Sequence, residues 1–521
     1  MGGREITVPQ GRLLGGSAGI NGLSFAPAAS ANADALTKLG IDGWGWDDFS
    51  KSLAKSYSLD GAQGGPIQVS YPRDLTENGW NPAWHSTLAS LGFTKEQDAF
   101  GGKPIGSLDV PDAIIGASRT RSYSANAYLL PAKAKDNLTV WTETLVKKID
   151  FDASQAGGDV TATGVTYTDA KGETKTVKAT KEVILSAGAI NSPKILELSG
   201  VGGTPLLKSL GIEVVIENPH VGENLQNHII CGMSFQANDD AQTLDSLARQ
   251  VPEALSNAQA QFAQQVGPFA SGGINTSALL PFPDIGSDEG KSELEKVLSQ
   301  TSGSYQSTAT EGFAKAHTDI VHSILKSPEE TSASYMMFPG FAAFQPDGTM
   351  APPLEGDEKY LSVALLLSYP LSRGSVHIKD ASAEAAPAID PRYLSHPLDV
   401  EILARHLGYL EKIASTGALA EKLVKGGKRV PQQYLGDNIE ATKEFVRKTV
   451  VGAHHYNGTC SMMAKDLGGV VDQKLRVYGS RNLRVCDASV IPLTPRSNPQ
   501  STIYGFAEHA ASIIKADSVA Q

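Results

Sequence analysis

From Gly11 to Phe25 the chain reads GRLLGGSAGINGLSF, a run of closely spaced glycines with apolar flanks. Backbone so free of Cβ atoms suits a loop wrapped against a flat or anionic ligand, because its amides can approach the ligand directly. Such a loop needs a large frame to hold it. The 521 residues supply one, since about 150 residues per domain predicts three domains or two large ones. Apolar residues at 41% and charged residues at 19% exclude a disordered or fibrous chain. A net charge of -11 gives no basic footprint, so no nucleic-acid partner is expected. Cys231, Cys460 and Cys486 form neither a disulfide framework nor a CxxC pair, and no metal site is expected. The longest nearly apolar run, Tyr360 to Leu371, is about 12 residues against the ~20 that span a bilayer, so no membrane partner is expected. The first residues carry no apolar h-region, which leaves the compartment open. The oligomeric state is not readable.

No repeat or long low-complexity segment appears. Between Asn137 and Gly203 strands alternate with a helix: NLTVWTETLVKKIDFD, then TATGVTYTDAKGETKTV as a hairpin turning at Lys171-Gly172, then KEVILSAG. Ser192 before Pro193 predicts the start of the following helix, and Gly200 its end. The Gln-, Ala- and Ser-rich stretch from about Asn238 to Thr331 is expected to form helices and surface loops. Strands return with LSVALLLSYPL and GSVHIKD. Near the C-terminus NLRVCDASV predicts a buried strand. STIYGFAEHAASIIKAD predicts a helix whose buried face carries Ile503, Phe506, Ala507, Ala510, Ile513 and Ile514.

Three stretches could carry chemistry. Gly15-Gly16-Ser17-Ala18-Gly19 matches the GxSxG nucleophile elbow, and Asp487 and His509 follow in hydrolase order, which keeps a serine hydrolase as a minor alternative. Pro9, Gln10 and Arg12 interrupt the strand an elbow needs, and too little chain precedes Ser17 to build its sheet. His455 in HHYNGTCSMM and Asn498 in PRSNPQST form a second candidate. A neutral imidazole can take a hydroxyl proton, and an amide beside it can donate to the same oxygen. The competing reading is that His454 and His455 are loop histidines and Asn498 begins a turn before Pro499. The third, VGENLQNH from Val221 to His228, says little alone.

Taken together, these pieces resemble the glucose-methanol-choline (GMC) flavin oxidoreductase family. GRLLGGSAGIN resembles the family's first signature and SAGAINSPKILELSGVG its second. VGENLQNH resembles its VGxNLxDH loop, with Asn227 where aspartate is usual. SRGSVHI, from Ser372 to Ile378, and the run HYNGTCSM, GGVVDQKLRVYG, NLRVCDAS and NPQST resemble the rest. The resemblance implies an α/β plus α+β fold of two domains. One is an FAD-binding domain over 1–45, 133–232 and 452–521. The other is a substrate domain over 46–132 and 233–451, with an antiparallel sheet and helices.

The resemblance further implies FAD as cofactor and a small alcohol as substrate, in chemistry of the fungal secondary-metabolism kind. A CH–OH group would lose its hydroxyl proton to His455 and its hydride to flavin N5, with Asn498 orienting the oxygen. Oxygen or another acceptor would reoxidise the flavin. Arg12, Gly15, Gly16 and Asn21 would lie along the flavin and its pyrophosphate, Val146 would meet the adenine, and Asp487 and Ala488 would reach the ribityl and ring system. The chain departs from the family at one point: it contains no GxGxxG, the segment whose amides grip a dinucleotide pyrophosphate. That departure leads to the expectation of a truncated front to the FAD-binding domain. Its alternatives are a chain that no longer binds FAD, or a GMC-fold cyclase working without redox. Sequons at Asn137, Asn275 and Asn457 would permit glycosylation in a secreted protein.

Overall fold

The computed structural model describes residues 3–152, 159–301 and 309–520. Its largest layer is a seven-stranded antiparallel sheet in the order Arg429–Val430, Ile229–Ala237, Lys359–Leu367, Ala333–Phe338, Thr276–Leu280, Gly106–Asp109, with Val451–Gly452 also paired to Ile229–Ala237. Strands covered on both faces read as nearly continuous apolar runs. Thr276–Leu280 is buried at every position, and Leu361, Val363 and Leu365 are each at most 1% exposed. Helices Trp80–Ser90, Asp288–Thr301, Glu311–Leu325 and Pro397–Ala414 share one hydrophobic core with this sheet, through residues such as Trp84, Val297, Ile320, Leu403 and Leu407. Each such side chain contributes about 1.5–3 kcal/mol by leaving water.

A second core gathers the parallel pair Val183–Leu185 and Leu483–Val485, the meander Leu145–Asp152, Thr161–Thr168 and Thr174–Lys178, and the helices Gly188–Leu198 and Gln500–Ala520. The hairpin turns where the sequence predicts: Gly172 N donates to the Asp169 carbonyl at 2.9 Å, and Gly172 takes φ 81°, which suits glycine. The two cores give the mixed α/β and antiparallel architecture that the sequence implies.

Four expectations change. The helix after Leu185 starts at Gly188, not at Ser192, and Pro193 lies inside it. Its cap comes from far along the chain: Asp487 Oδ2 accepts from Gly188 N at 2.8 Å and from the Ser192 hydroxyl at 2.5 Å. Pro193 has no N–H for the Ala189 carbonyl four residues back, and Thr459 Oγ1 donates to that oxygen instead, at 2.6 Å. The stretch 238–331 contributes the buried strand Thr276–Leu280 to the sheet besides its helices. Helix Trp46–Ser56, placed by the span 46–132 in the substrate domain, packs instead in the second core through Phe49 and Leu53. Trp44, just before it, stacks on Phe506 with centroids 4.6 Å apart. On the C-terminal helix Ala507 is exposed, whereas Phe506 and Ala510 are buried.

Candidate active site

Three stretches far apart in sequence meet at the loop Val221–His228. Asn224 Nδ2 donates to Ser461 Oγ at 2.8 Å and to the Pro492 carbonyl at 3.2 Å. Gln226 Nε2 donates to that same carbonyl at 2.5 Å, and its Oε1 accepts from the amide and hydroxyl of Thr494, each at 3.1 Å. Gln226 and Asn457 pair through their backbones, 2.9 and 3.0 Å. These polar groups are almost wholly buried, where an unmade hydrogen bond costs about 1–3 kcal/mol. Their mutual satisfaction therefore holds the loop, the segment around His455 and the segment Pro492–Asn498 in one arrangement. The sequence motif that said least alone is the hub.

His455 is half-buried and sits on that hub. Its backbone N donates to Asn227 Oδ1 at 2.7 Å, and its Nδ1 lies 2.9 Å from His228 Nδ1. Asn227 is thereby oriented, its amide nitrogen bonded to the Tyr393 hydroxyl. His228 is fully buried, with Nε2 2.6 Å from the Pro495 carbonyl. Burial lowers the His228 pKa to about 4, outweighing the Pro495 and Ser368 carbonyls that favour its charged form. Burial, and then the neighbouring His228 and His454, hold the His455 pKa well below the usual imidazole range. Both rings are neutral near pH 7. His454, one residue away, is exposed and adopts a left-handed φ of 63°, so the two adjacent histidines part company.

Asn498 stands three residues past Pro495 and is half-buried, its Oδ1 3.4 Å from the Ser497 hydroxyl. Its segment is pinned by buried Arg496, whose guanidinium donates to the Pro27 and Ala28 carbonyls at 3.2 and 3.1 Å. The structure thus brings the His455 and Asn498 segments together through His228. Asp487 caps the helix at Gly188 and also accepts from Ser489 N at 2.8 Å, with Ala488 beside it half-buried. In the glycine-rich loop Arg12 is exposed, and Gly15 has φ 94° with Tyr123 packed where a Cβ would stand, 2.6 Å away. Asn21 Oδ1 accepts from Leu23 N at 3.1 Å and from Arg121, whose other nitrogen donates to the Asn21 carbonyl at 2.8 Å. Arg121, which no motif marked, stitches the loop closed. Val146 lies at a bulge in the strand Leu145–Asp152, opposite Tyr167.

The hydrolase alternative is overturned. Ser17 Oγ accepts from Gly11 N at 3.0 Å, His509 Nδ1 bonds Ser52 Oγ at 3.1 Å, and Asp487 is committed to the helix cap. Nor can every sequon serve. The Asn275 amide donates to the Val110 carbonyl and Asp112, and the Asn457 amide to the Ile491 carbonyl, all buried, whereas Asn137 is exposed.

The site thus stands where loops of a seven-stranded antiparallel sheet meet a second core built on a parallel strand pair. Two GMC oxidoreductase profiles match the chain, an N-terminal one over residues 1–230 and a C-terminal one over 370–507. The protein belongs to the GMC oxidoreductase family, whose cofactor is FAD. It is 32% identical to the dehydrogenase citC of Monascus ruber, over 98% of this chain and 84% of that one. It is 30% identical to the patulin synthase of Aspergillus clavatus, over 98% and 78%. Its fold matches that of a fungal aryl-alcohol oxidase with a TM-score of 0.84 at 24% identity, covering 98% of this chain and 86% of that one.

The residues present fit one end of FAD. At Gly16 and Gly22 an added Cβ would meet no atom within 4 Å, so bare backbone faces open space as a flat ring requires. Gly15 admits no side chain. The helix N-terminus at Gly188, which follows a parallel strand and so is a ready anion site, is already occupied by the Asp487 carboxylate.

Proposed function

We propose that the protein oxidises a CH–OH group of a small alcohol to the carbonyl, with His455 as the base that takes the hydroxyl proton. The single observation that carries this reading is a neutral His455 held by His228 and Asn227 at the meeting point of the family's motifs. A neutral imidazole poised against a hydroxyl contributes about 10²–10⁴-fold to such a step. When bound, FAD supplies the two-electron acceptor for the hydride that leaves carbon. Asn498 orients the substrate oxygen by donating from its amide. Arg12, Gly15, Gly16, Asn21, Asp487, Ala488 and Val146 hold the cofactor along its length. A small alcohol of fungal secondary metabolism is supported by the fungal relatives, one a patulin synthase, and by the likeness to an aryl-alcohol oxidase.

A second reading is favoured by the carboxylate already seated at the Gly188 helix N-terminus: the chain holds FAD weakly or not at all, and His455 performs acid–base chemistry such as a ring closure without redox. Incubation with FAD, gel filtration and a visible spectrum separate the two. Retained flavin that is bleached anaerobically by an aryl or aliphatic alcohol supports oxidation. A folded protein that emerges colourless overturns it, and a His455→Ala variant that bleaches flavin at the wild-type rate overturns His455 as the base.

A further inference from the structure

We infer that His228 is the positioning residue of this site, and that it fixes His455 in the one neutral tautomer whose lone pair lies on Nε2. The inference rests on the reading of His455 as the base. Its argument is a chain of donors and acceptors. The Pro495 carbonyl, 2.6 Å from His228 Nε2, can only accept, so Nε2 carries a proton. A fully buried His228 is neutral near pH 7, so its Nδ1 holds a lone pair. That lone pair faces His455 Nδ1 at 2.9 Å, and two facing lone pairs repel, so His455 Nδ1 must be the donor. His455 Nε2 is then the unprotonated nitrogen. The rings stand at 88° with centroids 5.0 Å apart.

Besides the Pro495 carbonyl, that of Ser368 also favours a proton on His228, and the partner facing His228 Nδ1 is His455 Nδ1. The titratable groups that act on His455 are His228 and the exposed His454. Asn227 spends its Oδ1 on the His455 backbone and its nitrogen on Tyr393. Among the described residues no carboxylate is bonded to either ring. A histidine base is commonly oriented by a carboxylate that also stabilises the cation it becomes. Here a neutral imidazole backed by a carbonyl takes the orienting role. It can also share the proton that His455 acquires, because Nδ1 of His228 accepts more strongly as His455 becomes charged.

The test reads tautomers directly. Two-bond proton–nitrogen correlation on protein labelled with ¹⁵N-histidine distinguishes Nδ1–H from Nε2–H, and the signals among the 11 histidines are assigned by their loss in His455→Ala and His228→Ala. The expected result at neutral pH is Nδ1–H for His455 and Nε2–H for His228. In His228→Ala, His455 moves to an Nε2–H or mixed pattern, and kcat falls by about 10- to 100-fold with KM little changed. His228→Asn, whose amide oxygen can accept from His455 Nδ1, restores most of the loss. An Nε2–H His455 in the wild type overturns the inference, and so does an unchanged Nδ1–H pattern in His228→Ala. Full activity in His455→Ala instead overturns the base, leaving the tautomer assignment to stand on its spectrum.

Discussion

The two cores of this molecule close themselves differently. In the antiparallel half the sheet is sealed by its own side chains, and Leu361, Leu365 and Leu366 have no exposed surface. In the cofactor half Ile184, on the parallel pair, is 43% exposed, and Leu13, Leu14 and Ile20 of the glycine-rich loop are exposed as well. One half buries its sheet, its exposed apolar residues such as Leu255 and Met350 lying on helices and loops. The other exposes apolar side chains on its parallel strand pair and on the glycine-rich loop, and the polar hub at Val221–His228 joins the two.

That contrast can be broken at several points. The largest effect is expected at the seam: His455→Ala should lower alcohol turnover by about 10²–10⁴-fold with flavin retention unchanged, measured as kcat beside a flavin spectrum. In the sealed sheet, Leu365→Ala should cost about 2–5 kcal/mol in denaturant unfolding, because the cavity it leaves cannot collapse. Thr459→Val should cost about 1–3 kcal/mol by leaving the Ala189 carbonyl buried without its donor. A smaller, pH-dependent effect belongs to His377, which bridges the halves: Nδ1 to Glu197 at 2.6 Å and Nε2 to Glu223 at 3.1 Å. Burial acts to lower its pKa, but the two carboxylates outweigh burial and push it up to about 9. A raised folded pKa means the bridge contributes fully below the unfolded value of about 6.5 and is lost as pH rises through about 9. The gap in melting temperature between wild type and His377→Gln should therefore shrink from pH 6 to pH 10, and a constant gap would refute the bridge. Smallest is Ile184→Ala, expected within about 0.5 kcal/mol of wild type by the same unfolding assay. A loss as large as that of Leu365→Ala would show that the two halves are equally sealed.

Much of this site was legible in part. His455 stood out through the resemblance of its HxxGTC run to the family, since spacing alone left it a loop histidine, and its neighbour His454 is set apart by the left-handed backbone that turns it outward. His228 gave no signal, since a histidine ending a polar loop is ordinarily a loop residue. Only its burial against the Pro495 carbonyl gives it a role. The Ser192-Pro193 pair misplaced a helix start for a related reason: the true cap, Asp487, lies some 300 positions away. Thr276–Leu280 was lost in a polar stretch because five residues carry too little periodicity to be seen.

Local order was determined by the sequence itself: the hairpin at Asp169–Gly172, the strand Lys359–Leu367 and the C-terminal helix follow from turn residues and apolar spacing within a few positions. The separated motifs likewise carried the family. Tertiary structure alone decided which buried polar groups satisfy one another, and thereby which histidine is held at the hub, which asparagines are closed to glycosylation and which carboxylate caps a helix. The physical reason is range. Propensity and periodicity act over one turn or one strand, whereas a buried donor must find its acceptor wherever the folded chain brings one.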